Sequence, residues 1–274
     1  LNAVGSFQKL AGGLWPLIGW MGVAAGFIIL SFYAVIGGWT IRYFIHTFID
    51  LMPEAAAGKA GDVFGAFVTN TMHVVIYQAA FMLATIWVVY KGVGEGIERY
   101  CKILMPALFL ILLVLIVRAV TLDGAAKGLE FYLTPDFSKI TGASISAALG
   151  QAFFSLSLGM GCMITYGSYV DRNTALPGSA LQVCFIDTMV AVLAGLAIFP
   201  AVFAFGVDAG AGPGLTFITL PAVFAKMPGS MIWSALFFLL LFIAALTSAI
   251  SLLEVVSSYF IDKGWSRPQA AWIM

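Results

Sequence analysis

The sequence has few charged residues and no excess of either sign. Only 9% of its 274 residues are Asp, Glu, Lys or Arg, and 13 basic side chains balance 13 acidic ones. An ordinary soluble domain carries about 25% charged residues, so this composition excludes a water-soluble fold. The zero net charge also leaves no basic surface for nucleic acid, and we expect no nucleic-acid partner.

Cysteine and histidine are scarce as well. Cys101, Cys162 and Cys184 are far apart in apolar surroundings and lack CxxC spacing. We therefore expect small buried hydrophobic side chains rather than a disulfide framework or a zinc site. His46 and His73 match no metal-binding pattern, and no nucleophile and base share a common depth, so an enzyme is not expected.

Long apolar runs make up most of the sequence. Apolar residues are 62% of the total, and a membrane-spanning helix needs about 20 of them in succession. We predict an all-α, multi-pass bundle in the cell (inner) membrane that forms one domain over residues 1–274. The predicted helices cover 14–48, 64–90, 97–119, 142–171, 180–206 and 231–262, with an outer loop at 207–230.

The fourth apolar run contains residues that weaken a helix. Ser155, Ser157, Gly159 and Gly161 lie near its middle. Glycine disfavours a helix by about 1 kcal/mol relative to alanine, and serine competes for backbone hydrogen bonds. One interpretation is a local break at 157–161. The alternative is that these small residues only allow neighbouring helices to pack closely.

The sixth apolar run carries three hydroxyl groups, on Thr247, Ser248 and Ser251. Such groups in membrane helices usually bond the backbone carbonyl one turn back. Alternatively, Thr247, Ser248 and the carbonyl of Ala244 lie on one helix face and offer neutral oxygens to a hard monovalent cation. The sequence leaves both interpretations open.

Two carboxylates, Asp187 and Glu254, lie within apolar runs. A charge inside the bilayer costs at least about 2.5 kcal/mol, so each is a candidate functional residue. Asp187 lies about midway across its helix, where a carboxylate could face a cation. For Glu254 the alternative is a buried acid that is hydrogen-bonded to a neighbouring helix.

Several segments taken together resemble the neurotransmitter:sodium symporters, and most closely the bacterial amino-acid transporters of that family. The likeness covers essentially the whole chain, as the family's helices three to eight and the start of the ninth. It implies an internal fragment of a longer protein, inactive by itself. The matching segments are FIILSFYAVIGGW at 27–39, FFSLSLGMG at 153–161, AALTS at 244–248, FITLP at 217–221, and Gly96 followed by Pro106.

This resemblance implies a partial inverted-repeat symporter fold that carries an amino acid with sodium ions by alternating access. Its partners would be the amino-acid substrate and the lipid bilayer. The alternative is an ion channel or another membrane transporter with a cation site at mid-depth. A channel favours a continuous polar stripe, whereas the polar residues here cluster at mid-depth. The sodium ligands implied by the match are Ser155, Asp187, Ala244, Thr247 and Ser248.

The resemblance also implies a substrate pocket. Tyr33 would hydrogen-bond the substrate carboxylate, and Met160 stands where many members have an aromatic residue. A flexible thioether there suits bulky apolar side chains, so the substrate is expected to be hydrophobic. The implied substrate-binding residues are Ile29, Tyr33, Phe154, Ser157, Met160, Ser248 and Leu252.

Asp187 bears on chloride. Chloride-dependent members of the family have an asparagine at the matching position and hold chloride partly through positions matching Gln151 and Ser155. A fixed carboxylate can supply the negative charge itself, so we expect dependence on sodium without a requirement for chloride.

Four further residues are implied to permit unwinding and gating. Pro106 removes one helical hydrogen bond and Gly96 is a weak helix former, so this half of the fifth family helix can unwind at low energy. Gly159 and Gly161 are expected to serve the same purpose in the broken helix.

Overall fold

The computed structural model of the chain describes residues 1–171, 173–206 and 212–273, and the regular structure in these ranges is helical. Two π-helical turns, Val93–Glu98 and Leu215–Thr219, and a 3-10 turn, Phe137–Lys139, interrupt the α-helices. The α-helices are α1 (Ala3–Leu10), α2 (Pro16–His46), α3 (Leu51–Ala56), α4 (Ala60–Thr69), α5 (Thr71–Tyr90), α6 (Arg99–Val120), α7 (Ala125–Leu133), α8 (Gly142–Ser155), α9 (Cys162–Gly167), α10 (Leu176–Ala204), α11 (Leu220–Ala225), α12 (Ser230–Asp262) and α13 (Arg267–Ile273).

Five membrane-length helices form the frame of the fold. Among the described residues, α2, α5, α6 with the turn before it, α10 and α12 are long and apolar enough to cross a bilayer. Helix α12 lies at the centre, where it packs against α2, α5 and α6, while α10 packs against α6 and α7. More than half of the most apolar stretch of α12 is buried inside the protein.

The structure divides the helix that we predicted over 64–90. At Asn70 the backbone leaves the helical region, with φ −88° and ψ 90°. The Asn70 side chain accepts a hydrogen bond from the backbone N–H of His73 at 3.2 Å. This asparagine therefore caps the start of α5, which is a favoured position for the residue type.

The helix predicted over 142–171 is also two helices, and α9 already ends at Gly167. Residues 156–161 between α8 and α9 are not helical. Gly159 and Gly161 both have φ +78°, and Ser157 has φ +56°. Glycine adopts this left-handed region readily because it has no Cβ. The break thus lies at the residues that weaken the helix in the sequence.

Other boundaries differ from the predicted ones by smaller amounts. Helix α10 begins four residues before the predicted start at 180, with Pro177 in its first turn, where the missing N–H is tolerated. The predicted outer loop at 207–230 contains α11 and a π-helical turn. Its first five residues, 207–211, lie outside the described part of the chain.

Glycines bring α2 close to its neighbours. A Cβ on Gly38 would lie 2.6 Å from the backbone nitrogen of Gln78 in α5. A Cβ on Gly22 would lie 3.2 Å from the backbone nitrogen of Gly161, in the break between α8 and α9. Backbone therefore packs directly on backbone at both places, as small residues allow in membrane helices.

We predict that Gly38→Ala destabilises the purified protein. The new methyl group must displace the backbone of α5, and overpacking of this kind costs about 1–3 kcal/mol. Gly65→Ala in α4 is the matched control, because a Cβ there meets nothing within 4 Å. Thermal unfolding should show a lower midpoint for Gly38→Ala and no loss for Gly65→Ala. Equal midpoints for the two variants would show that the close approach is not needed.

Candidate functional site

A cavity of about 340 Å³ lies at the break between α8 and α9. Its walls come from α2, α6, α8, α10, α12 and the break itself. Small-molecule sites in proteins occupy about 300–1,000 Å³, so the volume suits an amino acid. Every residue predicted above for sodium or substrate lines this cavity: Ile29, Tyr33, Phe154, Ser155, Ser157, Met160, Asp187, Ala244, Thr247, Ser248 and Leu252.

One wall of the cavity carries a hydroxyl and a carboxylate in contact. The Ser155 Oγ atom lies 2.7 Å from Oδ1 and 2.8 Å from Oδ2 of Asp187, and its hydroxyl donates to this carboxylate. Ser155 is the last residue of α8, while Asp187 lies in α10 and is half-buried. Gln151, one turn before Ser155, lines the same wall. Oxygen ligands of this kind are those that hard cations prefer.

Another part of the cavity wall carries the hydroxyl groups of α12. The Thr247 hydroxyl donates to the backbone carbonyl of Ala244 at 3.0 Å, so the intrahelical bond considered for it is present. A hydroxyl that donates one hydrogen bond keeps two lone pairs, so this bond leaves Thr247 able to bind a cation. Ser248, the next residue, is exposed in the cavity wall.

The remaining walls are apolar. Met160 and Leu252 are buried, while Ile29 and Tyr33 are half-buried on α2. The phenol of Tyr33 lies beside the Ser248 hydroxyl. The cavity wall therefore combines oxygen atoms with apolar side chains, as an amphipathic ligand requires.

Three wall residues were not predicted from the sequence. They are Met105 and Leu108 of α6 and Val190 of α10. The spacing of Met105 and Leu108, three residues apart beside Pro106, places them on one helix face. Val190 is three residues beyond Asp187, so helical spacing from the predicted carboxylate could have found it.

The four residues implied in gating lie outside the walls of this cavity. Gly96 belongs to the π-helical turn before α6, and Pro106 lies inside α6. Gly159 and Gly161 lie in the break and line a neighbouring cavity of about 210 Å³. Within the described residues, no group of three or more His, Cys, Asp or Glu side chains could hold a metal ion.

Residues 67–269 match the sequence model of the Sodium:neurotransmitter symporter family. The chain belongs to this family. It is 43% identical to an uncharacterized sodium-dependent transporter of Bacillus subtilis, YhdH, over 99% of this chain and 60% of that protein. An uncharacterized sodium-dependent transporter of Haemophilus influenzae is 40% identical over 91% of this chain and 55% of its own length.

The fold agrees with the family assignment. The chain superposes on the crystal structure of MhsT in complex with L-phenylalanine with a TM-score of 0.89 and 50% identity. The match covers 98% of this chain and 62% of that one. The chain thus has the partial family fold implied by its sequence, in a multi-pass membrane protein, and it spans about 60% of the length of the relatives that it matches.

Glu254 of this symporter family member is fully buried and has a charged partner. Its carboxylate accepts hydrogen bonds from both terminal nitrogens of Arg267, at 2.7 and 3.0 Å. The Tyr169 hydroxyl donates to the same carboxylate at 2.6 Å. The hydrogen-bonded interpretation of Glu254 therefore holds, and the partner, Arg267, lies on the following helix. The pair connects α12 to α13, and Tyr169 connects both to the chain after α9.

We predict that Arg267→Ala destabilises the chain more than the paired change Glu254→Gln with Arg267→Gln. Removing one partner leaves the other charge buried and uncompensated, which costs about 3–5 kcal/mol, whereas the double variant leaves no charge. Thermal unfolding of the three purified proteins measures the order. An Arg267→Ala protein as stable as the parent would contradict a stabilising role for the pair.

Proposed function

We propose that the protein containing this chain transports an amino acid with an apolar side chain together with sodium ions. The observation that carries the proposal is one cavity lined by a carboxylate, five hydroxyl groups and apolar side chains. Membership of the family supports sodium coupling. The complex of MhsT, 50% identical to this chain, with L-phenylalanine supports an amino acid as the substrate.

The sodium ions would be held on the two polar walls. The Asp187 carboxylate and Ser155 hydroxyl would hold one ion, and the Ala244 carbonyl with the Thr247 and Ser248 hydroxyls would hold the other. These are oxygen ligands, which a hard cation prefers over nitrogen or sulfur. Because Ser155 ends α8 and Asp187 belongs to α10, the first ion would join these two helices, while the second would bind on α12.

The substrate would lie between these walls. The Tyr33 hydroxyl would donate to its carboxylate, and the hydroxyls of Ser157 and Ser248 line the same cavity. Its side chain would contact Ile29, Phe154, Met160 and Leu252. Burial of an apolar side chain by these residues contributes roughly 1.5–3 kcal/mol, which favours hydrophobic amino acids.

Release would begin at the break and at the start of α6. Gly159 and Gly161 leave the break free of helical hydrogen bonding, and Gly96 lies in a π-helical turn next to α6. Pro106 removes one hydrogen bond from α6 itself. These positions therefore let both segments change conformation while the packed parts of α2 and α12 stay in place.

Uptake of labelled amino acids into liposomes tests this function with the protein at its full natural length. An inward sodium gradient should drive uptake of L-phenylalanine or L-leucine, and a potassium gradient should not. Thr247→Ala should raise the sodium concentration that gives half-maximal uptake. Thr188→Ala is the control, since its hydroxyl makes the same kind of intrahelical bond, at 2.9 Å to Cys184, outside the cavity. Uptake independent of sodium would contradict the proposal.

We also propose that transport does not require chloride. The Asp187 carboxylate, fixed against Ser155, supplies a negative charge beside the proposed sodium site. Replacement of chloride by gluconate in the same liposomes should leave sodium-driven uptake unchanged. Uptake that collapses in gluconate while sodium is held constant would refute this part of the proposal and leave sodium coupling standing.

A further inference from the structure

Asp187 lies in α10 between an exposed half and a packed half of the helix. Residues 176–186 of α10 are all exposed. The residues of α10 that join the hydrophobic core begin at Val190, and this helix packs against α6 and α7. Among the described residues, the contacts that hold α10 therefore come mainly from the half that follows Asp187.

Pro200 is a weak point within this packed half. It lies inside α10, where proline removes one helical hydrogen bond and commonly kinks the helix. A change of angle at Pro200 would move the part of α10 that carries Asp187. A support that spans the proline would therefore keep Asp187 beside Ser155.

Helix α7 contacts α10 on both sides of that proline. Before it, the Tyr132 hydroxyl donates to the backbone carbonyl of Val192 at 3.2 Å. At the proline, the α7 backbone lies so close that a Cβ on Gly128 would be 2.7 Å from the proline Cα. After it, the ring centroids of Phe131 and Phe203 are 4.8 Å apart. Helix α7 therefore braces α10 across its weak point.

A glycine of α10 makes room for the Tyr132 ring. A Cβ on Gly195 would overlap this ring, which also stacks on Phe199 with the centroids 4.9 Å apart. A rotation of α10, or a shift along its axis, would bring the side chain of Ala194 or Leu196 against the ring. The fit of the ring therefore fixes both the rotation and the depth of α10.

We propose that Tyr132 is a positioning residue for the sodium site at Asp187, an inference that rests on the function proposed above. Val192, to which Tyr132 donates, follows Asp187 by five residues, roughly 1.4 turns of the same helix. Because α10 is continuous between them, α7 sets where the carboxylate lies relative to Ser155 without touching the ion. Loss of this fit weakens sodium binding more than it weakens amino-acid binding at saturating sodium.

Binding of labelled L-phenylalanine or L-leucine to the full-length protein, at increasing sodium concentrations, tests this role. Gly195→Ala places a methyl group against the Tyr132 ring and should raise the sodium concentration for half-maximal binding at least about fivefold. Gly178→Ala in the same helix is the matched control, because a Cβ there meets nothing within 4 Å, and its sodium dependence should equal that of the parent. Tyr132→Phe keeps the ring and loses only the hydrogen bond, so we expect a shift of about threefold.

Thermal unfolding and amino-acid affinity at saturating sodium separate positioning from stability. A Gly195→Ala protein with a lower unfolding midpoint and the parent's sodium dependence would show a purely structural role and overturn the proposal. The same holds if Gly178→Ala shifts the sodium dependence as much as Gly195→Ala. If Gly195→Ala does not fold, Tyr132→Phe decides, and sodium dependence equal to that of the parent refutes the role.

The parent protein distinguishes the two proposals. Amino-acid binding that does not respond to sodium in the parent contradicts the proposed function, and the positioning role falls with it. Sodium-dependent binding in the parent, with no shift in Gly195→Ala or Tyr132→Phe, refutes only the positioning role of Tyr132.

Discussion

The bilayer cannot hydrogen-bond to protein, so every polar group at membrane depth needs a partner within the chain or its ligands. The structure meets this constraint at three places where a polar side chain enters an apolar helix. Ser155 donates to Asp187, Thr247 donates to its own helix, and Glu254 is paired with Arg267. These three sites differ in their surroundings. The Glu254 carboxylate is bound by side chains of the protein, whereas the oxygen atoms of Asp187 and Thr247 line a cavity in which a cation can also bind to them.

The break between α8 and α9 follows from the same constraint. Non-helical backbone is tolerated at this depth only where protein packs on it or a cavity adjoins it, and both conditions hold. Gly161 lies against Gly22 of α2, and a Cβ on it would lie 3.0 Å from Val255 of α12. The other side of the break lines the proposed substrate cavity. Close packing and unwinding, which were alternatives for the small residues in the sequence, therefore occur together.

Local composition and a family resemblance were enough to predict the spanning helices, the position of the break and the residues that meet at the cavity. Asn70 was missed because the apolar run continues through it, and only a capping bond to His73 ends the helix there. Arg267 was missed because it lies on the next helix, beyond a turn, so no helical spacing joins it to Glu254.

We propose above that the Asp187 carboxylate supplies the negative charge that sodium needs at the cavity. The most direct test measures how sodium promotes binding of the labelled amino acid in chloride-free buffer, for the full-length parent and Asp187→Asn. We predict that the variant needs at least about tenfold more sodium for half-maximal binding of the amino acid. A loss of about 1.4 kcal/mol in the free energy of sodium binding corresponds to a tenfold loss of affinity. The same sodium dependence in both proteins, with the variant folded and binding substrate, would contradict the account.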